Sequence, residues 1–298
     1  MGGGAWTSAS YNTYTTSTRG ISLDDFVNTS YSAQEMYTSR HLAPELNPHN
    51  IMRECCDTEE HPKTLPVILA LDVTGSMGDA SVKVAKKLNE IMTDLYADSN
   101  IKDIEFCIMG IGDLAYDSAP IQISQFESDI RIAEQLDKIY FEAGGGGNKY
   151  ESYTAAWYMG VNHAKLDCWK RGQKGIIITL GDEGPNPYLP KRGLSEATGD
   201  KLQGDVETKE LYNDTIQKYD IYHIAVNDPS SSYNYHQRYY NIDKQWEELL
   251  GDHYTVSTLD NLAQTIVEII KNREAWNTSI PIISTPGLTV NENDEVTW

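Results

Sequence analysis

Four predominantly apolar runs punctuate the middle of the chain, at residues 67–71, 104–111, 175–180 and 221–226. Runs of this length rich in Ile, Val and Leu are the pattern of strands buried on both faces, as in a parallel sheet. Residues 120–126 differ, because Ile121 and Ile123 alternate with Gln122 and Ser124, which predicts an edge strand. Residues 254–257 predict a last short strand. Between these runs the spacing becomes helical. Over residues 79–96, Ala85, Leu88, Ile91, Met92 and Leu95 share one face, with Lys83, Lys86, Lys87 and Glu90 largely off it. Further helices are predicted at 129–139, 151–168, 206–218, 243–250 and 260–272, with residues 228–240 left as a Tyr-rich loop. Strand alternating with helix predicts an α/β fold, a doubly wound and mostly parallel sheet flanked by helices.

The two ends break this rhythm. Residues 1–63 carry few aliphatic side chains and many Ser, Thr, Tyr and Asn, and residues 1–20 show no helical period. Ser22 ahead of Asp24 and Asp25 predicts a capped short helix within 23–36. Trp6, Tyr11, Tyr14, Tyr31 and Tyr37 need somewhere to pack, so this region reads as an extension wrapped around the main domain. The predicted organisation is an extension over 1–63, a domain over 64–273 and a C-terminal tail over 274–298, extended and acidic from residue 277.

Composition narrows the partners. A chain of 298 residues can bury a sizeable core, and its 24 basic against 44 acidic residues leave a net charge of −20. Such a chain repels phosphate backbones and anionic lipid, so neither nucleic acid nor a membrane surface is expected as a partner. No run approaches transmembrane length or has the form of a signal peptide. Cys55, Cys56 and His61 could be a fragment of a zinc site, but no second ligand pair stands at a standard spacing. Reduced thiols in a cytoplasmic protein account better for the cysteines.

Chemistry concentrates where the first run ends. Asp72, Thr74 and Ser76 follow one another at alternate positions, at a strand-to-helix turn. In an open α/β sheet that turn lies at the carboxyl edge, where ligands bind. A carboxylate with neighbouring hydroxyls is a hard-oxygen set suited to Mg²⁺ or Ca²⁺. Two more polar loops can reach the same edge. One is the glycine run 144–147 followed by Asn148 and Glu151, and the other is Asp182-Glu183 after the third run.

With these three loops the chain resembles a von Willebrand factor A (VWA) domain. The metal-ion-dependent adhesion site of that family reads Asp-x-Ser-x-Ser in its first loop, a Thr in its second and an Asp in its third. Here Asp72, Thr74 and Ser76 match the first, with Thr for the first Ser, and Asp182 in ITLGDEGP matches the third. The second loop departs from the pattern, since GGGGNKYES stands where Gly-Gly-Thr is common; Asn148, or else Glu151 or Ser152, takes the place of the Thr. More loosely, MGGGAW, FESD, GGGG-x-x-x-ESY and GDE are similar to a group of bacterial proteins with this domain. The resemblance implies one Mg²⁺-like ion (Mn²⁺ or Ca²⁺ as alternatives) held by Thr74 and Ser76, with Asp72 and Asp182 direct or through water. It implies metal-dependent binding of an acidic side chain of another protein, in a bacterial or phage-borne cytoplasmic protein. A MoxR-type AAA+ ATPase is the partner that family analogy suggests.

Two other readings stand beside this one. DVTGS also resembles the Asp-Lys-Thr-Gly-Thr of P-type ATPases, and GDEGPN is similar to the Gly-Asp motif of haloacid-dehalogenase phosphotransferases. Asp72 would then be a nucleophile forming an aspartyl phosphate. Against that, a long helix follows at once where those enzymes place a flap, and Lys174 sits at a strand start rather than on an anchoring loop. The plainer reading is a decayed site, with Asp72 and Ser76 only capping the helix.

Overall fold

The computed structural model describes residues 5–98, 101, 103–142 and 149–279. Its centre is a mixed sheet of six strands: β1 (Leu65–Asp72), β2 (Ile104–Ile111), β3 (Ile121–Ile123), β4 (Gly175–Gly181), β5 (Tyr219–Val226) and β6 (Tyr254–Ser257). In space the order is β6–β5–β4–β1–β2–β3, every pairing parallel except β2 with the edge strand β3. The chain thus leaves β1 towards β2 and β3, then returns to place β4 on the other side of β1. At that reversal the loops after β1 and β4 diverge and leave a crevice at the carboxyl edge. The register aligns Leu71 with Leu180, so Asp72 and Asp182 emerge side by side there.

Alternation along β1 divides the core in two. Val67, Leu69 and Leu71 belong to one buried cluster, and Ile68 and Ala70 to the other. The first cluster is covered by three N-terminal helices, α1 (Ser8–Arg19), α2 (Leu23–Asn28) and α3 (Ala33–Met36), then α4 (Ala80–Lys86), α5 (Leu88–Tyr96), α6 (Arg131–Asp137) and α12 (Leu259–Ser279). The second is covered by α7 (Ala155–Asn162), α8 (Lys191–Thr198), α9 (Thr208–Thr215) and α11 (Ile242–Leu250), with Trp157 and Trp246 at its centre. Helix α10 (Tyr233–Tyr240) lies at the carboxyl edge. Among the described residues no helix is long and apolar enough to cross a membrane.

Several local expectations are corrected. Residues 8–19 form a helix despite lacking an aliphatic period, because Tyr11 and Thr15 supply its buried face. Thr7 caps it through Ser10 N–H, Gly20 closes it at φ 71°, and hydroxyls of Thr13, Thr16 and Thr18 bond carbonyls four residues back. Its Tyr14 hydroxyl and Arg19 guanidinium both reach Asp137 of α6, at 2.8 and 2.7 Å. The single helix expected over 79–96 is interrupted at Lys87, whose N–H is shared between the Lys83 and Val84 carbonyls. The helix expected over 151–168 stops at Asn162, where residues 164–166 leave it to pair in parallel with Arg53–Cys55. The edge strand keeps Gln122 buried rather than solvated, its amide exchanging hydrogen bonds with the Tyr140 backbone at 2.7 and 2.8 Å. Of the Tyr-rich segment expected as a loop over 228–240, residues 233–240 form helix α10. Cys55 is buried, all four cysteines are free thiols, and they form no metal-ligating group with His61 among the described residues.

Candidate metal centre

The loop after β1 is shaped by its own hydrogen bonds. Asp72 turns its carboxylate forward, so that Oδ1 accepts from the Thr74 N–H at 2.9 Å and the Thr74 hydroxyl at 2.6 Å. Ser76 donates its hydroxyl proton to Asp182 Oδ1 at 2.9 Å, which bridges this loop to the one after β4. Each hydroxyl has a single proton, and each spends it on a carboxylate. The two hydroxyl oxygens stand 3.0 Å apart, and with both protons so spent each keeps lone pairs for a cation. Neighbouring ligands around an octahedral ion with bonds of about 2.1 Å stand about 3.0 Å apart, so this spacing suits a Mg²⁺-like ion. Neither Asp72 nor Ser76 caps a helix: α4 begins at Ala80, and Asp79 before it accepts the Ala33 N–H at 3.0 Å.

Two glycines let this edge close. Gly78 has φ 48°, and a Cβ there would come within 2.7 Å of the Ser230 carbonyl, so the loop after β5 approaches closely only because the position is bare. That approach lets Ser232 N–H reach Asp182 Oδ2 at 2.7 Å and the Ser76 carbonyl at 3.0 Å. Gly181 makes room for the Tyr153 side chain, whose hydroxyl a Cβ would overlap. Tyr153, fully buried at the start of α7, donates to Asp72 Oδ2 at 2.6 Å and accepts the Glu183 N–H at 3.3 Å.

Glu151 joins the same crevice. The short pairing of Tyr150–Glu151 with Gly184–Pro185 brings it beside the third loop, where it is 2% exposed. Ser152 is turned away, its hydroxyl accepting the Leu114 N–H at 3.0 Å. Asn148 and the glycine run 144–147 lie outside the described residues. Asp72, Thr74, Ser76, Glu151 and Asp182 are thus brought together. Sequence reasoning missed Tyr153, Ser232 and His236 around them, and named Glu183 in the third loop without making it a ligand.

The electrostatics are one-sided. Asp72, Glu151, Asp182 and Glu183 are all buried, and none has an ion pair with lysine or arginine among the described residues. Burial raises the Asp72 carboxyl, and the Asp182 charge raises it further. Burial likewise raises Asp182 and Glu151, the latter also through Asp72 and Glu183. Glu183 is pushed up to about 9 by burial and by the charges of Asp72 and Asp182. The Oε2 atoms of Glu151 and Glu183 are buried with no hydrogen-bond partner among the described residues. Orphaned carboxylate oxygens at the same edge as two hydroxyls are donors that a divalent cation fits. Lys174 is remote from all of this, ion-paired with Asp220 at 3.6 Å at the opposite edge of the sheet. Both Asp72 oxygens accept hydrogen bonds, Oδ1 from Thr74 and Oδ2 from Tyr153.

No protein-family model matches this sequence, and no curated protein does. Solved structures are similar in backbone. The pilus adhesin SpaC of Lactobacillus rhamnosus GG matches at TM-score 0.46 and 13% identity, over 72% of this chain and 31% of SpaC. This chain therefore spans about a third of that protein's length. The vWF domain of the type V pili tip protein Mfa5 from Porphyromonas gingivalis matches at TM-score 0.42 and 11% identity, over 72% of this chain and 96% of that one. The PilB minor pilin of Streptococcus sanguinis matches at TM-score 0.45 and 15% identity, over 74% and 64%.

Proposed function

We propose that this chain is a protein-binding module of VWA type, a doubly wound domain that engages an acidic side chain of a partner through a divalent cation. The observation that carries the reading is the joining of Asp72, Thr74 and Ser76 to Asp182 through hydroxyls that keep lone pairs for a cation. Thr74 and Ser76 would hold the ion, with Asp72 and Asp182 as the anionic members and Glu151 or Asn148 as the second-loop candidates. Mg²⁺ is the ion such a hard-oxygen set prefers, with Mn²⁺ or Ca²⁺ able to substitute. When bound, the cation supplies a positive coordination point in an otherwise acidic crevice, and a partner's Asp or Glu completes its shell. Neutral hydroxyl ligands keep that point attractive to an anion.

The partner surface in this reading includes α10, which turns His236 inward and leaves Tyr235 and Tyr239 exposed beside the crevice. Tyrosines supply contact area at low entropic cost. A MoxR-type AAA+ ATPase as that partner rests on the sequence resemblance alone, and a cytoplasmic setting on that resemblance and on the cysteines. The test is a pull-down from the native host lysate with Mg²⁺ or with EDTA, using wild type and Asp72→Ala. A defined protein retained with Mg²⁺ and lost with EDTA and with the variant is expected. The same capture in all three arms would refute metal-dependent binding.

A further inference from the structure

His236 introduces a nitrogen ligand into an oxygen-lined edge. Its Nδ1 lies 2.8 Å from the backbone carbonyl of Asp182. A carbonyl only accepts, so Nδ1 carries a proton and Nε2 is left to present its lone pair. Nε2 faces Glu183 Oε1 at 3.5 Å, too long for a direct hydrogen bond, and both side chains are nine-tenths buried at 10% exposure. The second Glu183 oxygen, Oε2, has no partner among the described residues. One ligand atom from each of Asp182, Glu183 and His236 lies within 4.8 Å of the other two.

An imidazole pinned through Nδ1–H by a carbonyl, with Nε2 aimed at carboxylates, has the orientation that outer-shell contacts give to metal-ligating histidines. Asp182 can serve both sides, since one of its oxygens meets Ser76 and the other meets the Ser232 N–H. A mixed imidazole and carboxylate set suits Zn²⁺ or Co²⁺ rather than Mg²⁺. We propose that Asp182, Glu183 and His236 form a second cation position of Zn²⁺ class, adjoining the hydroxyl-lined one and sharing Asp182 with it.

The experiment titrates metal-free full-length protein with Co²⁺, read by visible absorption, and separately with Mg²⁺, read by calorimetry. Circular dichroism checks that each variant is folded. The expected result is a saturable cobalt spectrum that Zn²⁺ displaces, weakened about tenfold or more in His236→Gln and in Glu183→Gln. Mg²⁺ binding should persist in His236→Gln, whereas Asp72→Ala should lose Mg²⁺ and keep the cobalt spectrum. A cobalt spectrum indifferent to both His236→Gln and Glu183→Gln would overturn the second site. So would its absence from the wild type, which would assign the His236–Glu183 pair to a shared proton. Failure of the Mg²⁺ arm alone would count against the first site and leave the second standing.

Discussion

Tyr153 shows how much of this site depends on one side chain outside the loops that hold the acids. Its hydroxyl supplies the contact to Asp72 Oδ2, in a place where water does not reach either group. Tyr153→Phe leaves that oxygen buried and short of a donor, at a cost of about 1–3 kcal/mol. Urea unfolding in EDTA should record that loss, and an unchanged midpoint and slope would contradict it. Asp72, Thr74, Ser76 and Asp182 were legible from sequence because three share one turn and the fourth ends a strand. Tyr153 was not, because its partner is distant in sequence, with Asp72 at the end of β1 and Tyr153 at the start of α7. The only hint was Gly181, the bare position that admits the ring. His236 was hidden for the related reason that residues 228–240 did not read as a helix, so no face could be assigned to it.

At the scale of elements, the site is built by loops that approach one another without side chains between them. Gly78 is the case with positive φ, and the Ser230 carbonyl lies over it. Gly78→Ala combines left-handed strain of about 1–2 kcal/mol with a steric push on the loop after β5. The variant should unfold at lower denaturant and bind Mg²⁺ more weakly, because Ser232 N–H would be drawn away from Asp182. Wild-type stability and affinity in that variant would remove the closure argument. The central strands and most helices were legible because aliphatic periodicity reports burial directly. The N-terminal helix α1 was not, since tyrosine and threonine bury its inner face, and hydropathy does not register them as core. Likewise α7 ends early because residues 164–166 gain strand partners from residues 53–55, a long-range pairing that local pattern does not encode.

At the scale of the whole molecule, an acidic chain of net charge −20 gathers four buried carboxylates at one edge. Without a cation these groups bind protons more readily folded than unfolded, because burial and mutual repulsion raise them. Their unfolded values lie near about 4, and Glu183 reaches about 9 when folded. Between those limits the folded state holds the extra protons, so stability is greatest at the acidic end and falls as pH rises. Melting temperature in EDTA should therefore decline from about pH 5 towards pH 9, and Mg²⁺ should flatten the decline by replacing protons with a fixed cation. Parallel curves with and without Mg²⁺ would argue that no ion compensates the cluster. The most direct measurement is isothermal titration of Mg²⁺ into EDTA-stripped protein at neutral pH, wild type beside Asp72→Ala. One saturable site in the wild type, absent from the variant, is the predicted result; equal isotherms for the two proteins, or no binding to either, would contradict it.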